Sequence, residues 1–196
     1  MDKKALLKVI ATSGYNIGFG AKKHFATLDI VEKMPGWIGL ISLAAGVLSL
    51  FIPELETKYI SASFTILGIA ALTLNAYSEN KEKYAKAGGE LTSKFHELRV
   101  LYETVKSQPD SVDMAIFLSK HNEIQEQALH ISMSKHIFLS DWYAHIKFFG
   151  QNQVDWIDEQ LHFKFIKDKL PFSFKAIIVA VSLALIFSAA KYHCFY

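Results

Sequence analysis

The sequence predicts an all-α membrane protein, because its apolar residues are gathered into three blocks of membrane-spanning length. The blocks are residues 36–52, 59–77 and 172–190, and the first two contain no charged residue. A helix needs roughly 20 predominantly apolar residues to cross a bilayer, with about 17 as the lower limit. The mean hydropathy of +0.19 and the hydrophobic fraction of 51% would also suit a soluble domain. The clustering of the apolar residues therefore decides the fold class.

A basic helix is predicted over residues 3–33, ahead of the first apolar block. This segment carries six lysines and no apolar run long enough for a cleaved leader, so we expect the first membrane helix to be its own insertion signal. Gly14, Gly18 and Gly20 lower its helix propensity but permit close contact with a neighbouring helix. We therefore expect it to pack along the stalk, the cytoplasmic helix predicted over residues 78–106.

The first two blocks, 36–52 and 59–77, predict a transmembrane hairpin joined by the short connector Pro53–Lys58. Trp37, Tyr59 and Tyr77 stand at the block ends, where interfacial aromatic residues are enriched. The alternative is a pair of core helices in a soluble bundle. Such helices normally keep a polar stripe, and these blocks contain only Ser, Thr and Asn as polar residues.

No Gly or Pro follows the second block at once, so we expect one helix from Tyr59 to Lys106, whose second part (78–106) forms a cytoplasmic stalk. Apolar residues recur there every seven positions, in a narrow heptad-like stripe. The stripe consists of Tyr84, Leu91, Leu98 and Val105. Gly88 and Gly89 either bend this helix or allow close packing.

A cytoplasmic helical domain is predicted over residues 107–170. It comprises a helix at about 112–138 and an aromatic-rich helix at about 141–169, which Gly150–Asn152 can split. The third block, 172–190, is the third predicted membrane helix, and its one charge, Lys175, can reach the headgroups from the first turn. A soluble core helix stays the alternative for this block.

Lys and Arg residues flank the hairpin on one side only. Six lysines precede it and six basic residues lie within 81–106, whereas the connector has one lysine and two glutamates. Short-loop bias of this kind places the N-terminus and residues 78–170 in the cytoplasm and the C-terminus outside. The net charge of +2 gives no reason to expect nucleic-acid binding. The single cysteine, Cys194, excludes a disulfide or a Cys-based zinc site within one chain.

The order of these segments resembles the SLATT domain, the SMODS and SLOG-associating two-transmembrane effector domain. The resemblance covers about residues 6–106: a basic, small-residue helix containing GYNIGFGAKKHF, a tight hairpin, and the long helix SENKEKYAKAGGELTSKFHELRVLY. It implies an oligomeric, pore-forming membrane effector that kills or arrests an infected bacterium by permeabilising the inner membrane. It also implies a trigger, either a cytosolic protein or a molecule of cyclic-nucleotide type. Region 107–170 and the third membrane helix are additions to this pattern, which suggests that they sense or gate.

The second functional hypothesis is a membrane-anchored receptor or scaffold, whose domain 107–170 binds a cytosolic partner or a nucleotide signal. The aromatic content of that region motivates it. The two hypotheses are compatible if the cytoplasmic domain gates a pore.

Two sets of membrane residues are candidates for function. Three polar residues could line a pore or form interhelical hydrogen bonds: Thr65, Thr73 and Asn75. Small residues recur at helix-packing positions, within the chain or between subunits: Ser42, Gly46, Gly68, Ala176, Ala180, Ala184 and Ser188. No ionisable residue lies centrally in a block, so proton-coupled transport is not expected.

The sequence carries no enzyme signature. His121, His130, His136 and His145 lie in one cytoplasmic region, but their intervals of 9, 6 and 9 match no common metal motif. A GxSxG elbow, a Walker loop and a dinucleotide turn are all missing from the sequence. We therefore expect no catalytic residues, no metal and no cofactor.

Overall fold

The computed structural model describes the backbone of residues 1–195 and the side chains of residues 1–186 other than Glu56. The protein is 83% helical, and the described part contains no strand. Its helices are α1 (Lys3–Ser49), α2 (Lys58–Ser78), α3 (Lys81–Ser107), α4 (Ala115–Ile131), α5 (Ser140–Gln151), α6 (Asp155–Leu161), α7 (Phe165–Asp168) and α8 (Phe172–Phe195), with a 3-10 turn at Pro53–Glu56. The all-α prediction is confirmed.

Helix α1 joins the predicted N-terminal helix and the first predicted membrane segment into one element of 47 residues. Asp2 caps its start, since the Asp2 carboxylate accepts the N–H of Ala5 at 2.7 Å. Pro35 lies within the helix, at the boundary between the basic and the apolar parts. Proline lacks an N–H, so one helical hydrogen bond is missing there, but the helix continues to Ser49. It ends three residues before the predicted end of the segment at Ile52.

Helices α1 and α2 form the predicted hairpin. Half-buried small residues of α1 (Ser42, Ala45 and Ser49) share the spacing of one helix face, as do Ile60 and Phe64 on α2. The remaining surface is apolar and exposed, with Leu43 at 67% and Leu72 at 73% exposure. Within the described residues, α1 and α2 are long and apolar enough to cross a membrane. A soluble protein would cover such a surface, so the hairpin belongs in a bilayer.

The expected continuous helix from Tyr59 to Lys106 is wrong. The chain turns at Glu79 and Asn80, between α2 and α3. Ser78 donates its hydroxyl to the carbonyl oxygen of Asn75 at 2.7 Å. Ser and Asn side chains compete in this way for backbone hydrogen bonds and favour turns over helix interiors. Ser78 and Asn80, two residues of low helix propensity, thus stand where α2 gives way to α3 without a glycine or a proline.

Helix α1 packs along α3, as predicted, and this pair is the centre of the helical body outside the hairpin. Every residue of the heptad-like stripe is buried: Tyr84, Leu91, Leu98 and Val105. Gly18 of α1 lies under two rings, because a Cβ there would be 2.6 Å from Phe95 and 2.9 Å from Phe148. Gly88 of α3 lies against the ring of Phe25, and α3 continues through it. The glycines therefore serve close packing.

The region 107–170 shares one hydrophobic core with α1 and α3. The buried residues it contributes are Met114, Ile124, Ala128, Phe148, Trp156 and Ile157. Its helices are shorter than expected: α4 ends at Ile131 instead of about 138, and the aromatic segment divides into α5, α6 and α7. The first division falls next to Gly150, as anticipated. The second follows His162, which adopts a left-handed conformation with φ of 51° after α6.

Helix α8 begins at Phe172, and its fully described part, Phe172–Ile186, is apolar but shorter than a membrane span. The side chain of Ser173 accepts a hydrogen bond from the Trp142 indole at 2.7 Å, and Phe174 meets the Trp142 ring edge-on. These contacts attach the start of α8 to α5. The side chains of 187–190 lie outside the described residues, so the third membrane span stays a prediction.

Candidate functional site

The outer surface of the hairpin is the first candidate functional site. The hydroxyl of Thr65 donates to the carbonyl of Ser61 at 3.0 Å, and that of Thr73 donates to the carbonyl of Ala70 at 2.7 Å. Asn75 accepts a hydrogen bond from Ser78 at 3.2 Å through its side-chain oxygen. All three polar residues are exposed and bonded within their own helix. The structure therefore brings none of them into an interhelical hydrogen bond within this chain.

These polar residues do not form a single line along α2. At 3.6 residues per turn, Thr73 and Asn75 lie about 80° to either side of Thr65 around the helix axis. A pore that used all three would have to expose nearly half of the helix surface. The hydroxyls of Thr65 and Thr73, which are bonded within the helix, are equally compatible with lipid.

The predicted small residues divide into two groups. Ser42 is half-buried in the hairpin, whereas a Cβ at Gly46 or Gly68 would meet nothing within 4 Å. The alanines of α8, Ala176, Ala180 and Ala184, are exposed, and the side chain of Ser188 lies outside the described residues. Gly46 and Gly68 therefore leave a close-packing surface open on the outside of the hairpin. Packing of these residues between subunits stays a prediction.

A second candidate site is a buried polar cluster below the hairpin, formed by His24, Thr27, Tyr84, Met133 and His136, which we call the junction cluster. His24 is fully buried; its Nδ1 donates to the carbonyl of Gly20 at 2.7 Å and its Nε2 accepts the N–H of Met133 at 3.1 Å. Thr27 donates its hydroxyl to Lys23, so the Thr27 oxygen accepts from Nδ1 of His136 at 3.2 Å. The cluster thus joins α1 to the loop after α4.

Burial sets the charge of the junction cluster. Burial lowers the pKa of His24, and the nearby Lys23 adds to this against the opposing hydrogen bond to Gly20. Burial, together with His24 and Lys23, lowers the pKa of His136 to about 4. The two rings are 4.7 Å apart and both neutral at pH 7. Among the described residues, no group of three or more potential ligands is placed to hold a metal ion.

The loop 132–139 is held to the body and the hairpin at once. The Tyr84 hydroxyl donates to the carbonyl of Lys135 at 2.8 Å, and the Lys135 ammonium lies 5.0 Å from the ring centre of Tyr77. Ile137 is buried with Val31, Ile38 and Leu74 at the base of the hairpin. The loop therefore links α4 and α5 to the base of the hairpin, so a movement of α4 or α5 would shift its contacts with the membrane helices.

Ion pairs tie α5 across α1 near the junction cluster. Lys23 pairs with Asp141 at 2.8 Å, and Asp29 pairs with both Lys147 and Lys33. Burial opposes the charge of Asp29, but hydrogen bonds from Lys147 and Lys33 outweigh it and hold its pKa below the usual range. The α1–α5 contact is therefore an ionised network at neutral pH, whereas the junction cluster beside it is neutral.

Sequence reasoning missed the junction cluster. His24 and His136 are 112 positions apart, and the sequence suggests a role for histidines only as metal ligands. The available signal was Tyr84, a hydroxylated aromatic residue on an otherwise aliphatic and aromatic stripe, because a buried tyrosine usually needs a partner for its hydroxyl. That signal identifies one member of the cluster but not the loop that meets it.

Comparison with known proteins gives one match. The family described as "SMODS and SLOG-associating 2TM effector domain 6" matches residues 1–178. The match extends through region 107–170 and into α8, which the resemblance from sequence treated as additions. No curated protein and no solved structure gives a match.

Proposed function

The chain belongs to the SMODS and SLOG-associating 2TM effector domain 6 family, and from this premise we propose that it is an oligomeric membrane effector that permeabilises the bacterial inner membrane when triggered. In this proposal the effector serves an antiphage system in which the infected cell is killed or arrested. The observation that carries the proposal is a hairpin whose lipid-compatible outer surface includes the open glycines Gly46 and Gly68.

Oligomerisation is required because two or three helices of one chain cannot enclose an aqueous channel. Helices in lipid associate mainly through close packing at small residues and through interhelical hydrogen bonds. Gly46 and Gly68 offer backbone approach on surfaces that no described residue occupies. We propose that these surfaces meet neighbouring hairpins.

The proposed pore has no fixed charge in its wall. Residues 36–52 and 59–77 contain no Asp, Glu, Lys, Arg or His, so the closed state would be a hydrophobic constriction that opens by wetting. Thr65, Thr73 and Asn75 are polar residues of α2, and whichever of them faces the lumen can stabilise water once the constriction widens. Such a pore would discriminate poorly between ions.

A second proposal is a membrane-anchored receptor, and the attachment of loop 132–139 favours it. The loop contacts the cytoplasmic body through Tyr84 and the hairpin through Ile137. A partner or nucleotide signal bound to the body can therefore act on the hairpin through this loop. The two proposals coexist if the receptor part controls opening.

Membrane potential in cells tests the first proposal. We expect high-level expression of the wild type to depolarise cells loaded with a potential-sensitive dye, because crowding favours assembly. Gly68→Leu should insert normally but depolarise at least tenfold less, since it blocks close approach. Leu72→Ile, on the same helix at a 73% exposed position, is the matched control and should behave as wild type. Normal polarisation in cells where the trigger is present, with the wild type verified in the membrane fraction, would refute permeabilisation.

A further inference from the structure

A cationic groove crosses the cytoplasmic body between α1 and α3, away from the hairpin and the junction cluster. Its volume is about 240 Å³, and residues 151–153, where α5 ends, are part of its lining. Its charged side chains are Lys22 on α1 and Arg99 on α3, with His96 on the exposed rim. None of the residues that line it carries a carboxylate.

The two cations of the groove form no ion pair within the described residues. Neither Lys22 nor Arg99 has a carboxylate oxygen within 4 Å among the described residues. Arg99 also lines a neighbouring groove with Glu103, Asp155 and Glu159, and these carboxylates lie beyond ion-pair distance of its guanidinium. A half-buried lysine without a counter-ion is costly, and an anion in the groove would remove that cost.

The titration of Lys22 agrees with this geometry. Burial lowers the pKa of Lys22, and the positive charge of Lys147 lowers it further. Both effects disfavour the ammonium form in the empty groove. A bound anion would raise the pKa of Lys22, because it would supply a negative charge beside the ammonium group.

Arg99 is already oriented for recognition. One of its terminal nitrogens donates to the side-chain oxygen of Gln153 at 2.7 Å, which holds the guanidinium at the groove and leaves its other N–H groups available. A planar guanidinium with free donors is the side chain best suited to bidentate binding of phosphate oxygens. Gln151 and Asn152 also line the groove and bring side-chain amide groups that can donate hydrogen bonds to an anion.

Size and position narrow the ligand class. The groove is smaller than the roughly 300–1,000 Å³ typical of whole small-molecule sites, so it suits a phosphate group with the rest of its carrier outside. Lys22 precedes Gly36, the first residue of the apolar block, by 14 helical residues, which is about 21 Å along α1. The lipid headgroups of the membrane that the hairpin crosses are therefore too far from Lys22 to bind in the groove.

We propose that the groove between α1 and α3 binds a soluble phosphate-bearing anion through Lys22, His96 and Arg99. This site is separate from the permeabilising surface, and its occupancy can be measured on protein that conducts nothing. The anion bridges the two helices that form the body, so binding stabilises their contact.

Calorimetric titration of the full-length protein in a neutral detergent, with sodium pyrophosphate as the probe, tests the proposal. We expect saturable binding that sodium chloride at equal ionic strength does not reproduce. The double variant Lys22→Gln/Arg99→Gln should bind at least tenfold more weakly, and His96→Ala on the rim about threefold more weakly. Lys86→Gln, on α3 at a 78% exposed side chain outside the groove, is the matched control and should bind as wild type.

Three results would overturn the assignment. The first is a lack of saturable heat with wild type. The second is unchanged binding by both the double variant and His96→Ala; because His96 is exposed, its variant keeps the test valid if the double variant melts early. The third is loss of pyrophosphate binding in nanodiscs of phosphatidylglycerol but not of phosphatidylcholine, which would assign the groove to a lipid headgroup. None of these results bears on depolarisation by the hairpin.

Discussion

His24 and His136 meet edge to face in the junction cluster, where α1, α3 and the loop 132–139 converge. Both rings are engaged in hydrogen bonds that suit neutral imidazole, since Nε2 of His24 accepts a backbone N–H and cannot do so when protonated. Protonation would also place a charge beside Lys23 in a buried site. The loop is therefore held in place by the uncharged state of two histidines.

Acidification is predicted to destabilise the protein through His136. Its pKa is about 4 in the folded chain against an ordinary 6.5, so the unfolded chain binds the proton first as the pH falls. Stability should drop between about pH 6.5 and pH 4 and level off below, by on the order of 1–2 kcal/mol for this half-exposed group. Thermal melting followed by circular dichroism in detergent, from pH 7.5 to 4.5, measures the effect.

The variant His136→Asn isolates this contribution, because burial also lowers the pKa values of His24 and His145. We expect the asparagine variant to lose part of the pH dependence, whereas His130→Gln on the exposed face of α4 should keep all of it. Parallel pH profiles for wild type and His136→Asn would contradict the assignment.

Among the elements, helices with strong periodicity could be predicted from sequence, and their ends could not. The seven-residue repeat correctly identified the buried face of α3. The continuity of α2 with α3 and the end of α4 were predicted wrongly. The chain turns at Glu79 and Asn80 between α2 and α3, and α4 stops at Ile131, before the loop that docks on the hairpin base. The docking depends on Ile137 meeting Ile38, a tertiary contact that no local pattern encodes.

The candidate sites follow the same division. Thr65, Thr73 and Asn75 are visible in the sequence because a polar residue in an apolar block is conspicuous. The cationic groove is not visible, since Lys22 and Arg99 are two of 21 basic residues and only the α1–α3 register makes them neighbours.

Close approach of α1 to α3 is predicted to depend on Gly18. Gly18→Ala would place a methyl group 2.6 Å from Phe95 and 2.9 Å from Phe148, both buried, so the helices must separate. Overpacking of this kind costs about 1–3 kcal/mol. The control Gly89→Ala adds its methyl group to an open position on α3 and should stabilise by about 0.5–1 kcal/mol through helix propensity. Melting temperatures that move in the same direction for both variants would contradict the close-packing role.

At the scale of the whole molecule, the shared core restricts the topology to two choices. The N-terminal half of α1 and the helices α3 to α6 contribute to one hydrophobic core, so they lie on the same side of the membrane. The 3-10 turn Pro53–Glu56 lies at the opposite end of the hairpin. The two choices differ only in which side of the membrane the helical body occupies. Six lysines precede the hairpin and one lies in the connector, and this bias favours the cytoplasmic side for the body.

Cysteine labelling is predicted to report that direction. In a Cys194→Ser background, Glu54→Cys lies in the connector and Glu126→Cys on the exposed face of α4. A membrane-impermeant maleimide should modify Glu54→Cys in spheroplasts and Glu126→Cys only after lysis. The reverse pattern would place the body outside and remove the groove from any cytosolic anion. Equal labelling of both variants before lysis would show instead that the hairpin does not seal the two sides from each other. Because the core holds α1 and α3 together, no intermediate topology satisfies both the packing and the lysine bias.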